Sequence, residues 1–274
     1  MRNEIVIEPN RSERHYWIDL WRYRELFKVL AWRDLSVRYK QTIIGVLWAL
    51  IRPFLTMVVF TVVFGRLAKL PTDGNAPYAL MVFAGILPWT FVSTGLSDAA
   101  NSLIANANLI SKVYFPRLIV PISTIVVAFT DFLISFCILL SLMVWYRFAP
   151  DWRIALLPVF TLMAFFASAG PALWIASLNV KYRDFRYVVP FIVQFGLYVS
   201  PVGFSSSVVP SSWRLLYSLN PMVAVIDGFR WCLLRGQSDL NVTSLLVSVA
   251  VIVVFLWFGV RQFRRTEKSF ADLI

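Results

Sequence analysis

Long apolar runs with almost no charge constrain this chain more than any other feature. A helix rises ~1.5 Å per residue, so about 20 mostly apolar residues are needed to cross ~30 Å of hydrocarbon. Six stretches meet that requirement. Residues 43–64 are apolar except for Arg52, and 118–146 carry only Asp131. Residues 74–97, 154–180, 187–213 and 240–260 have no charge. A chain of 274 residues has nothing left to sheath six such helices in a water-soluble globule. Charged residues make up 15% of the chain, against roughly 25% in a typical soluble domain. The predicted fold class is an all-α integral membrane protein with six transmembrane helices. An N-terminal amphipathic interface helix precedes them, and short re-entrant helices precede the last span.

Six spans place both ends on one side. The distribution of Lys and Arg identifies that side as cytoplasmic. Residues 1–42 carry nine Lys and Arg, and they lack the apolar core of a cleavable signal peptide. With the loops holding Lys112, Arg117, Lys181, Arg183 and Arg186, and the tail from Arg261 to Lys268, that side has eighteen. The opposite side has seven. The net charge of +11 is therefore a topology signal and a contact with anionic membrane lipids, and no nucleic-acid partner is expected. The division expected is 1–42 as the cytoplasmic N-terminus, 43–263 as the transmembrane domain and 264–274 as a cytoplasmic tail.

Several segments are too polar to span. Residues 16–35 place Trp17, Leu20, Trp21, Phe27, Leu30 and Ala31 near one face and Asp19, Arg22 and Glu25 elsewhere. That pattern suits a helix in the membrane interface or one packed on a partner. Leu109, Ile110, Val113 and Tyr114 form a short apolar stripe ended by Pro116. It reads as a two-turn helix seeking a partner protein, or as a plain loop. In 204–239, Asn220 suits an N-cap and Pro221 the first helical position. Met222, Val225, Ile226, Phe229 and Leu233 follow at helical spacing, and Gly236 can end the helix. Such a helix dips into the outer leaflet or caps the bundle.

Catalytic signatures are absent. The chain has no phosphate-cradling G-x-x-x-x-G-K-[ST], no H-E-x-x-H, no C-x-x-C and no G-x-S-x-G. With one histidine, His15, and two cysteines, Cys137 and Cys232, neither a metal site, a His-based triad nor a disulfide framework is expected. Two charges fall inside spans, Arg52 and Asp131, and each costs ~2.5–3.5 kcal/mol at mid-helix. They either pair across the first and third spans, or Arg52 faces a pore and attracts an anionic substrate. Trp48, Phe83, Trp89, Phe91, Phe195 and Tyr198 lie within spans. Their rings can stack on sugar faces in a channel, or simply pack against helices and lipid.

Residues 33–55, RDLSVRYKQTIIGVLWALIRPFL, strongly resemble the opening of the permease subunits of bacterial polysaccharide ABC exporters. NLISKVYFPRLIVP (108–121) resembles their coupling segment. NVKYRDFRYVVP (179–190), SPV (200–202) and NPM…GFRW (220–231) resemble later blocks in the same order. The resemblance implies an exporter of O-antigen type. Teichoic acid, capsule or a small lipid or drug are the alternative cargoes, and an enzyme acting on lipid-linked sugars is a more distant reading. It implies an inner-membrane homodimer carrying two copies of a separate ABC ATPase, with ATP and Mg held by that partner and no cofactor in this chain. A coupling helix at about 106–115 would seat Asn108, Leu109, Ile110, Lys112, Val113, Tyr114 and Phe115 in the ATPase. Lys181, Arg183, Asp184 and Arg186 would add a second cytoplasmic contact or bind carrier phosphates. Residues 204–235 would form periplasmic gate helices. The cargo implied is an undecaprenyl-pyrophosphate-linked polysaccharide, moved along a channel at the dimer interface.

Overall fold

The computed structural model describes residues 13–40, 45–182 and 184–270. These form an all-helical bundle. An N-terminal pair, α1 (Glu13–Arg22) and α2 (Arg24–Lys40), breaks at Tyr23. Then come α3 (Gly45–Phe60), extended by a π-helical turn over Thr61–Leu67, and α4 (Tyr78–Ala105). The short α5 (Ala107–Lys112) leads to α6 (Ile119–Trp145). A 3₁₀ turn over Trp152–Leu156 opens α7 (Leu157–Lys181), and α8 (Phe185–Val199) follows. Two shorter helices, α9 (Ser211–Tyr217) and α10 (Pro221–Leu233), precede the last, α11 (Val242–Glu267).

Among the described residues, five stretches are long and apolar enough to cross a membrane: Leu50–Leu67, Tyr78–Ala105, Ile119–Trp145, Trp152–Lys181 and Val242–Glu267. The expected 187–213 span has a different form. Its helix, α8, has 15 residues and covers about 22 Å. Ser200 precedes Pro201, whose ring disfavours the helical conformation one residue earlier. Ser200 is accordingly extended, at φ −89° and ψ 150°. The chain then continues through a 3₁₀ turn at Ser206–Val208 into α9.

α4 is the central post. It packs on α3, α6, α7, α8 and α10, and 78% of its most apolar window is buried. Serving as core on every side, it has no polar face to display. By contrast, only 11% of Leu50–Leu67 is buried, and Val189 is the one buried residue of α8. The bundle is therefore a tight block of α4, α6, α7, α10 and α11 with α3 and α8 attached lightly at its edge.

α10 follows its sequence signals. The Asn220 side chain accepts from the Met222 amide at 3.0 Å, and Pro221 occupies the first turn. Gly236 takes φ +69°, and its amide donates to the Trp231 carbonyl at 3.0 Å, closing the helix. Nearly all of α10 is buried. Of the two expected placements, the packing fits a helix that caps the bundle: α10 is built into it against α4, α7 and α11.

Candidate coupling segment and translocation surface

The segment after α4 is held by two anchors. Ile110 and Phe115 are buried in an inner-end cluster with Leu30, Leu103, Leu118, Phe263 and Phe270. Between them, Lys112, Val113 and Tyr114 are exposed, as is Asn108, while Leu109 is half-buried. The helix itself ends at Lys112, and Val113 is extended. The apolar pair Val113–Tyr114 is thus carried on a turn after the helix, not on a second helical turn as the spacing suggested. Ile110 and Phe115 are thus buried on either side of an exposed apolar pair. Lys181, Asp184 and Arg186 are exposed at the α7–α8 connection, at the same end of the bundle. Arg183 lies outside the described residues.

Asp131 has a different partner from the one expected. The Arg38 guanidinium contacts Asp131 at 3.1 Å and Asp98 at 3.3 Å, and the Tyr39 hydroxyl donates to Asp131. The reason is the course of α2. Arg33 donates to Asn106 at the inner end of α4, at 2.7 Å, while Arg38 meets Asp98 eight residues deeper along that helix. At ~1.5 Å per residue those eight residues of α4 cover about 12 Å, of which the five residues from Arg33 to Arg38 supply about 7.5 Å and the long Arg side chains the rest. The last turns of α2 therefore run along α6 and set one cation between an acid of α4 and an acid of α6. Arg52 is on the exposed side of α3. The spacing of hydrophobic residues in 16–35 gave no sign of this contact, because the residues that make it, Arg38 and Tyr39, lie beyond that window.

The aromatics separate into two groups. Phe83 and Phe91 are fully buried, and Phe91 packs against Phe129 and Phe132. Neither has a free face, so neither can line a channel. Trp89 is half-buried, pressed against α8 where a β-carbon on Gly196 would stand 2.6 Å from its ring. The side chain of Trp48 lies outside the described ones. Phe195 and Tyr198 are exposed and continue a ladder with Phe191 and the 80%-exposed Tyr187. Their spacing places all four on one face of α8. Phe191 and Phe195 stack with centroids 6.0 Å apart and planes 12° apart. Tyr187 and Phe191 escaped the sequence reading, although their i, i+4 spacing to Phe195 was available to it.

Sequence comparison agrees with this architecture. Residues 25–234 match the family described as ABC-2 type transporter. The chain belongs to that family. This permease is 28% identical over 259 residues to the O-antigen export system permease protein RfbA of Myxococcus xanthus, covering 93% of this chain and 98% of that one. It is 24% identical over 254 residues to the protein of the same name from Klebsiella pneumoniae, covering 91% and 95%. The inner membrane transport permease YadH of Escherichia coli K12 is 22% identical over 219 residues, covering 76% and 82%. The protein is a multi-pass membrane permease, and its family implies pairing with an ABC ATPase subunit.

A further organising residue of this permease lies in the GFRW block of α10. Arg230, on α10, is fully buried. Its Nε donates to the Met81 carbonyl at 3.1 Å, and its two terminal nitrogens donate to the Phe204 and Val202 carbonyls, each at 2.9 Å. One side chain thus ties α4 to the turn after α8. Gly85 leaves room for it, since a β-carbon there would stand 3.0 Å from the guanidinium. One turn earlier, Asp227 is buried with one oxygen lacking a donor. Burial pushes its carboxyl up to about 7, against the opposing pull of Arg230 and the Ser206 hydroxyl.

Proposed function

We propose that this protein is the membrane subunit of an ATP-driven exporter that moves a lipid-linked polysaccharide of O-antigen type across the bacterial inner membrane. Two copies pair, each with one ATPase subunit that binds ATP and Mg, and both termini are cytoplasmic. The observation that carries the reading is the exposed Val113–Tyr114 pair on a turn pinned from behind by Ile110 and Phe115. A chain without a nucleotide-binding loop takes its driving force from a partner, and this turn offers the seat. Lys181, Arg183, Asp184 and Arg186 form the second cytoplasmic contact, where cations can meet the ATPase or the pyrophosphate of an undecaprenyl carrier.

The cargo path follows the exposed aromatic face of α8. A hydrated glycan needs binding strong enough to enter and weak enough to leave. Rings spaced one turn apart spread that affinity over many weak stacking contacts. Residues 204–235, with α9 and α10, form the periplasmic gate. The likeness of the whole chain to permeases named for O-antigen export supports the cargo class.

The test is direct. A Val113→Asp, Tyr114→Asp variant should fold and insert normally but lose its ATPase on co-purification and stop export. Retained ATPase and undiminished export would overturn the reading.

A further inference from the structure

Glu267, at the last turn of α11, is bonded to the residue that leaves the coupling segment. The Arg117 backbone amide donates to Glu267 Oε1 at 2.7 Å, and the Arg117 guanidinium donates to the Glu267 carbonyl. Phe270 closes the joint: it is fully buried, packs on Phe263 with centroids 5.3 Å apart, and has the Arg117 guanidinium 6.0 Å from its ring. Only four residues separate Lys112 from Arg117, and Phe115 among them is buried in the same cluster. Little slack therefore lies between α5 and the foot of α11.

From that foot α11 runs for 26 residues, about 39 Å of continuous helix. About a third of the way from the foot it meets α7 backbone to backbone, where a β-carbon on Gly259 would stand 2.2 Å from the Gly170 carbonyl oxygen. Near its outer end the buried Ser248 hydroxyl donates at 2.9 Å to the carbonyl of Ser218, in the turn between α9 and α10. The helix is thus fastened at its foot to the coupling turn, along its length to α7, and near its top to the turn between α9 and α10.

We propose that Glu267 is a positioning residue for transport: the joint that passes movement of the coupling turn to α11 and, along that helix, to α9 and α10. This inference rests on the coupling reading above. Packed helices switch between discrete arrangements rather than bending continuously, so a displaced foot shifts the rod as a unit. The joint requires an acceptor oxygen at position 267, not a charge.

The experiment uses the permease purified with its ATPase. Cys137 and Cys232 are replaced by Ser, and Leu215→Cys on α9 carries a bimane fluorophore. ATP with vanadate should change the bimane emission in the otherwise unaltered protein. Glu267→Ala should reduce that change at least fivefold while the ATPase stays bound, and Glu267→Gln, which keeps the acceptor, should restore it. A full response in Glu267→Ala, or an equal loss in both variants, would overturn the joint. If Glu267→Ala fails to assemble, Ser248→Ala tests the upper fastening by the same readout, and an undiminished response there would overturn it. These outcomes differ from failure of the coupling reading, which would appear as ATPase retained by the Val113→Asp, Tyr114→Asp variant.

Discussion

Gly170 and Gly259 bring α7 and α11 into backbone contact, with the Gly170 carbonyl oxygen 2.2 Å from where a Gly259 β-carbon would stand. No flexible side chain is present to give way, so the helices themselves must part. Gly259→Ala should destabilise the permease by about 1–3 kcal/mol, the usual cost of overpacking. Its thermal midpoint in detergent should fall, and Gly259→Leu should not yield folded protein.

Arg230 is the sharpest stability test. Replacing it by Met keeps much of the volume but strips donors from three carbonyls, of which those of Met81 and Val202 are buried. Each buried acceptor left alone costs about 1–3 kcal/mol. Arg230→Met should therefore lower the thermal midpoint steeply, and Arg230→Lys should rescue it only in part, because a single ammonium cannot reach three diverging oxygens.

Asp227 makes stability depend on pH. Its carboxyl is raised to about 7 when folded, from an ordinary value near 4 in the unfolded chain. Between those values the folded state holds more protons than the unfolded one, so stability falls as pH rises from about 4 through about 7 and then levels. Arg230 opposes the shift, while Asp73 and Asp239 reinforce it. The thermal midpoint should be higher at pH 5.5 than at pH 8, and Asp227→Asn should flatten the difference.

The Arg38 cluster predicts a rescue. Arg38→Ala leaves Asp98 and Asp131 facing each other without their shared cation. That variant should insert poorly or melt early, and adding Asp98→Asn with Asp131→Asn should restore much of the loss. Membrane yield and thermal midpoint report both effects.

Aromatic substitutions should divide by location. Phe83→Ala and Phe91→Ala remove buried rings and should cost about 3–5 kcal/mol. Phe195→Ala with Tyr198→Ala removes exposed rings from α8, so the melting temperature should hardly move while export falls severalfold.

What could be read from the sequence was what local rules determine. Span positions follow from uninterrupted apolar length, and the start of α10 follows from Asn220 and Pro221. Partner choice did not follow. Arg52 and Asp131 share a depth by residue count, yet the acid is taken by Arg38 from a helix whose course no hydrophobic count records. Phe83 and Phe195 look alike in sequence, since both occur in apolar runs. Only the central place of α4 and the marginal place of α8 distinguish a packing ring from a displayed one. The truncation of α8 was written in Ser200–Pro201, but composition alone let the apolar run carry on past it to residue 213.

The light attachment of α3 and α8 has a mechanical consequence. With so little of either helix committed to the interior, displacing one by a few ångströms disturbs few packed groups, whereas moving α4 would dismantle the block. Of the two, α8 is the one that bears the ring ladder. Under the export function proposed above, the rings that meet the cargo would ride on a yielding edge while the load-carrying centre keeps its shape.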